Sequence, residues 1–171
     1  MIAVLRLNHR SSRDKRISTH IGLVSRAFLA DKIIYSGEQD LVLINSVNKV
    51  KNEWGGEFFA EYSKDYKKTI KEYKSKGFKV VHLTMYGLPL IEKVDELKKC
   101  KDLLIVVGGE KVPGDVYENA DYNLSVTNQP HSEVAALSIT LDRLISGKEL
   151  LHDFSDANKR IKPNIKGKSF Y

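Results

Sequence analysis

The chain has 171 residues, 42% of them hydrophobic and 29% charged, with a formal net charge of +6. That is enough chain for one domain with a sizeable core. No apolar run approaches the roughly 20 residues of a membrane helix. The N-terminal Met-Ile-Ala-Val-Leu-Arg lacks the marks of a cleaved leader, and one cysteine, Cys100, excludes an internal disulfide or a cysteine-based zinc cluster. The expectation is a cytoplasmic protein with no membrane segment and no metal.

The first expected element is a strand over Ile2–Leu7. Asn8–Arg16 follows as a basic loop, and residues 6–16 carry a net +4. From Ser18 the apolar residues fall at helical spacing through Phe28, with Ser18 or Thr19 as cap. Lys32–Ser36 reads as a strand and Asp40–Lys51 as an amphipathic helix. Gly55-Gly56 marks a turn, before a possible strand over Phe58–Tyr62. Ser63–Lys76 is a charged helix closed by Gly77. Lys79–Met85 is a strand, Tyr86-Gly87-Leu88-Pro89 a turn, and Pro89 begins a helix to about Lys99. Leu103–Val107 reads as a central parallel strand buried on both faces. Gly108-Gly109 stops it, and Pro113 suits the start of a short helix. Tyr122–Val126 is a further strand. Pro130 suits the first position of the next helix, Glu133 lies in its first turn, and the apolar residues of Val134–Ser146 carry it to Gly147.

Strands alternating with helices predict an α/β fold: a mainly parallel sheet with helices on both faces. Residues 1–150 read as a single domain and 151–171 as a basic tail. Residues 159–171 carry +5 with no acid, leaving a net −3 on the chain outside the two basic stretches. Clustered cations are the footprint of a polyanion-binding protein, and for the tail a solvated, disordered end is the competing reading.

In an open α/β sheet, ligands sit at the carboxyl ends of the strands. Three unusual turns meet there: Leu83-Thr84-Met85-Tyr86-Gly87, Gly108-Gly109-Glu110-Lys111-Val112-Pro113 and Val126-Thr127-Asn128-Gln129-Pro130-His131. Together they suit a nucleoside-like ligand held by backbone donors and acceptors. No phosphate-cradling or dinucleotide glycine motif is present, nor a serine elbow. The five histidines lack helical metal spacing. His131 reads either as a polar group at the pocket rim or as an ordinary first-turn residue. His82, inside a strand, reads as a core histidine. Glu110 either pins its loop or is a surface acid.

These blocks, with Asn128-Gln129-Pro130-His131-Ser132-Glu133-Val134-Ala135-Ala136-Leu137 and His9-Arg10-x-x-Arg13-Asp14-Lys15-Arg16-x-x-Thr19-His20, resemble the signature blocks of the archaeal tRNA cytidine-56 2′-O-methyltransferases, a family of the SPOUT superfamily. The likeness runs from residue 4 to about 144. It implies a SPOUT fold with a C-terminal trefoil knot, although knots are very rare in general. It also implies a homodimer, a tRNA substrate methylated on a T-loop ribose, and S-adenosylmethionine as cofactor. The cofactor residues it implies are Leu83, Thr84, Met85, Gly108, Gly109, Glu110, Lys111, Val112, Val126, Asn128, Gln129, His131, Ser132 and Val134. His9, Arg10, Arg13 and Lys15 are the expected RNA contacts.

Wider SPOUT ribose methyltransferases carry Asn, Arg and Ser where this chain has Ile17, Leu23 and Glu133, so their catalytic residues do not transfer. A 2′-hydroxyl attacking a methyl sulfonium must be held in line and lose its proton. Arg16 is the first candidate for orienting the ribose, and His20, close in sequence, for assisting with the proton, since an arginine is a poor base. Two other readings are a non-catalytic RNA-binding module, which would give no heat with S-adenosylmethionine, and a nucleotide-binding α/β enzyme acting on a small molecule, whose activity would need no RNA.

Overall fold

Leu103–Val107 (β5) forms the centre of the sheet with all five residues buried, as its unbroken apolar run dictates. In a computed structural model, which describes residues 1–109 and 111–171, it lies between β1 (Ile2–His9) and β4 (Lys79–Pro89). β2 (Lys32–Gly37), β3 (Phe59–Tyr62) and β6 (Tyr122–Ser125) complete six parallel strands in the order β3-β2-β1-β5-β4-β6. Alternate side chains feed two cores. Val4, Ile33, Ile105 and Val107 meet α1 (Lys15–Ala27), α2 (Leu41–Trp54), α4 (Val94–Leu97) and α6 (Glu133–Ile145) on one face. Leu5, Ile34, Leu104 and Val106 meet α3 (Tyr66–Ser75) and α5 (Gly114–Asn119) on the other. The predicted α/β class is therefore the observed one.

Local corrections are physical. α1 begins at Lys15, three residues before the predicted start. Ser18 is buried inside it and the Thr19 hydroxyl bonds back to Lys15 O, so neither caps the helix. The expected helix from Pro89 is only a 3-10 turn, Leu90–Glu92, and the single turn α4. The expected turn at Tyr86–Pro89 is instead extended, with Leu88 and Pro89 paired against Leu124 and Ser125 of β6. Pro130 precedes α6 rather than starting it: Ser132 is the cap, and its hydroxyl accepts from Val134 N at 3.1 Å.

The tail is ordered as a 3-10 turn, Lys148–Leu151, and a hairpin of β7 (Ile161–Lys162) and β8 (Ser169–Phe170). Asp156 accepts from Gly56 N, Asn158 donates to Asn52 O, and Lys159 pairs with Glu53 at 2.8 Å. The tail thus docks beside the C-terminus of α2, at the amino ends of the strands.

Candidate active site

All six strands run the same way, so the loops after β1, β2, β4, β5 and β6 open on one side of the sheet. A cavity of about 300 Å³ lies there, walled by His82–Tyr86, Val107–Gly109, Val112, Tyr117, Pro130, His131, Glu133 and Ala136. Its apolar wall is Leu83, Val107, Val112 and Ala136. Its polar groups include His82, Thr84, Tyr117, His131 and Glu133. His82 is fully buried. Its Nδ1 lies 2.8 Å from Asn123 Oδ1, its ring meets Tyr117 edge-on, and its Nε2 has no hydrogen-bond partner among the described residues. Burial pushes its pKa down, which keeps the imidazole neutral near pH 7. The Thr84 hydroxyl lies 3.1 Å from that of Tyr117.

A second cavity, of about 550 Å³, opens at the ends of β1 and β2. Asn8, His9, Arg10, Arg13, Asp14, Gly37, Glu38, Gly109 and Lys111 line it. Gly109 belongs to both cavities. Beneath it lies Arg6, 1% exposed, whose Nη1 donates to Leu7 O at 2.7 Å and whose Nη2 lies 3.2 Å from Glu133 Oε1. A Cβ built on Gly109 would stand 3.4 Å from both terminal nitrogens of Arg6. The guanidinium therefore joins the floor of the Gly108-Gly109 turn to the first turn of α6. Desolvation draws its pKa down, and the nearby Glu133 opposes that.

A family model described as tRNA ribose 2′-O-methyltransferase, aTrm56, matches residues 54–171. The curated tRNA (cytidine(56)-2′-O)-methyltransferase of Thermococcus kodakarensis is 55% identical, over 98% of this chain and 95% of its own length. That of Methanocaldococcus jannaschii is 54% identical over 98% and 94%. The chain belongs to this tRNA ribose 2′-O-methyltransferase family. Among solved structures, the TrmH/SpoU tRNA modifying enzyme of A. aeolicus superposes with a TM-score of 0.61 at 16% identity, covering 88% of this chain and 76% of that one. The SpoU methyltransferase AviRb of Streptomyces viridochromogenes, solved with AdoMet, gives 0.59 at 13%, covering 85% and 57%. At such identities these two likenesses speak to the fold.

Within this family member, the cofactor residues expected from sequence divide. Leu83, Thr84, Met85, Gly108, Gly109, Val112 and His131 wall the first cavity. Lys111 lines the second. Val126 and Val134 instead pack against the core, and Ser132 caps α6. Asn128 holds the turns together, donating from Nδ2 to Met85 O at 2.7 Å and to Ser125 Oγ at 3.1 Å. Gln129 is exposed outside both cavities, and Glu110 lies outside the described residues.

Arg10 and Arg13 line the second cavity, whereas Lys15 is exposed on α1 and lies outside it. His9 also borders that cavity, but its side chain is buried. It is 1% exposed, with Nδ1 2.9 Å from Ser18 Oγ and Nε2 3.6 Å from Asp40. Arg16 and His20 are exposed on α1, and neither lines either cavity, so the geometry of one chain does not bring them to the reacting centre. Nearness in sequence does bring the two together, four residues apart on α1, but on its exposed side. Sequence reasoning passed over Arg6, Tyr117 and Glu38. An arginine in an otherwise apolar strand was the available signal for Arg6, since buried charge is retained only with a partner.

Proposed function

We propose that the chain is an S-adenosylmethionine-dependent tRNA ribose 2′-O-methyltransferase that modifies cytidine 56 in the T-loop. Identity of 54–55% to enzymes of that name, across nearly the whole chain, carries the reading. The first cavity fits the cofactor. It has an apolar wall for an adenine face, polar groups at its edge, the buried unpartnered Nε2 of His82, and the Glu133 carboxylate, which complements a cation. When bound, the cofactor supplies an electrophilic methyl group on sulfonium.

The chain's own part is to orient and to move a proton. Gly109, which lines both cavities, puts no side chain between them where a ribose would approach. Arg13 and Lys111 line the neighbouring cavity, where a nucleotide's phosphate enters. A carboxylate or imidazole at the first cavity accepts the 2′-hydroxyl proton: Glu133, held by Arg6, or His131, whose Nδ1 is committed to Gln129 O at 2.6 Å. The pH–rate profiles of Glu133→Gln and His131→Gln separate the two, because only the true acceptor carries the acidic limb.

The fold reading extends to a trefoil knot. Both halves of β4 run against β6, with Leu83 and Leu88 each opposite Leu124, and Asn128 ties the turns together. The assembly reading is a homodimer. Ile139 on α6 and Leu23 on α1, helices that pack together, are 45% and 40% exposed. Sedimentation at micromolar concentration checks it, and a monomer there overturns it.

The deciding experiment for the function is mass spectrometry of tRNA incubated with methyl-labelled cofactor. A labelled 2′-O-methylcytidine in the T-loop is expected. Heat of cofactor binding without tRNA methylation would favour another substrate.

A further inference from the structure

Among the described residues that line the second cavity, one acid has an oxygen to spare. Asp14 is committed to Arg10, accepting from its Nε at 2.9 Å, its Nη2 at 3.0 Å and its backbone N–H at 3.1 Å. Glu38 is held differently. Its Oε2 accepts from Ser11 N at 2.8 Å and from Ser11 Oγ at 2.5 Å, and its own N–H donates to His9 O at 2.8 Å. Backbone and side chain are both fixed, while Oε1 makes no hydrogen bond among the described residues. The Ser11 hydroxyl and N–H also draw the Glu38 pKa down, so this oxygen is an acceptor with no proton to offer. Arg13 and Lys111 line the same cavity and form no ion pair among the described residues.

Gly109 walls both cavities, so the second adjoins the first directly and has room of its own for part of a nucleotide that reaches the first. Cytosine presents a 4-amino donor beside the acceptors N3 and O2. Uracil presents an O4 acceptor beside an N3–H donor. A fixed carboxylate oxygen favours the amino group and repels O4, while cationic donors suit N3, O2 or the flanking phosphate. Resting on the methyltransferase reading above, we propose that this cavity receives the base of the target cytidine, and that the Glu38 carboxylate reads its 4-amino group. Glu38 is then a specificity-determining residue.

The test uses the full-length protein and two tRNA transcripts, with cytidine or uridine at the position the parent methylates. Rates with each are measured for the parent, Glu38→Gln and Glu38→Ala, alongside cofactor affinity and Tm. In Glu38→Gln the amide oxygen keeps the bond to Ser11 while the amide NH₂ becomes a donor facing O4. The expected result is a cytidine-over-uridine ratio of kcat/KM that falls by about tenfold or more, the loss of one well-placed base contact. Uridine methylation rises in absolute rate, with cofactor affinity unchanged. In Glu38→Ala the ratio also falls, with less gain on uridine.

A carboxylate that only pinned Ser11 would give a different pattern. Both variants would slow the two transcripts in equal proportion, or lower Tm alone, and the parent's ratio would survive in Glu38→Gln. That result overturns the proposal. Failure of the methyltransferase reading itself looks different again, since the parent would then methylate neither transcript.

Discussion

At the scale of single residues, the Arg6–Glu133 pair couples the site to the fold. Taking a guanidinium out of water is costly, and here the neighbouring carboxylate and the Leu7 carbonyl offset the cost. Glu133→Gln leaves the buried charge without its counter-ion. A loss of about 2 kcal/mol is expected, below the fully buried range because the Glu133 side chain is 25% exposed. Urea unfolding checks it, and an unchanged midpoint would show the pair to be neutral. His82 makes a second prediction. Its pKa is lowered in the fold, so the unfolded chain binds the extra proton first. Stability is then full above the unfolded value of about 6.5 and declines as pH falls below it, with a limiting slope of about 1.4 kcal/mol per pH unit. Between pH 6.5 and 5.5 most carboxylates stay ionised, so His82→Gln should flatten that part of the urea-midpoint profile. A parent profile already flat there would mean the imidazole protonates in place.

At the scale of elements, the second half of β4 lies close against the backbone of β6. A Cβ on Gly87 would lie 2.5 Å from Asn123 O and 2.6 Å from Leu124 N, both backbone atoms unable to move aside. Gly87→Ala is therefore expected to cost at least about 2 kcal/mol, the upper part of what overpacking exacts, while Gly77→Ala meets no atom within 4 Å and tests only the strain of its positive φ. Thermal unfolding of the two variants separates crowding from backbone strain. This pairing was not legible in the sequence. Tyr86-Gly87-Leu88-Pro89 carries the composition of a turn, and only tertiary pairing to Leu124 and Ser125 makes it extended. The central strand was legible because five consecutive apolar residues have few other uses. The cavity loops were legible because glycines and prolines cluster at strand ends. The outward face of α1 was not: Arg16 and His20 share a helical stripe with Leu23, and spacing alone does not say which stripe meets solvent.

At the scale of the whole molecule, the excess positive charge sits at opposite ends of the sheet. The tail docks at the amino ends of the strands, where Lys159 and Arg160 are neutralised by Glu53 and Asp153. The basic stretch of residues 8–16, from the end of β1 to the start of α1, lies at the carboxyl ends, beside the second cavity. There Arg10 is engaged with Asp14, whereas Arg13 and Arg16 are exposed. Arg13 lines the second cavity and Arg16 is exposed on the first turn of α1, so both are open to an RNA phosphate. Each phosphate contact with single-stranded RNA contributes about −0.7 to the slope of log affinity against log salt. Replacing Arg13 and Arg16 together by Ala should therefore flatten that slope by about 0.7 to 1.4 and weaken tRNA binding, most visibly at low salt. Cofactor affinity should stay unchanged, because neither side chain lines the first cavity. Arg10 is left in place, since removing it would release Asp14 as an unpaired acid in the path of a phosphate and confuse the reading. Filter binding across a salt series gives the slope directly. Parent-like affinity and slope in the double variant would mean that the tRNA backbone bypasses this loop.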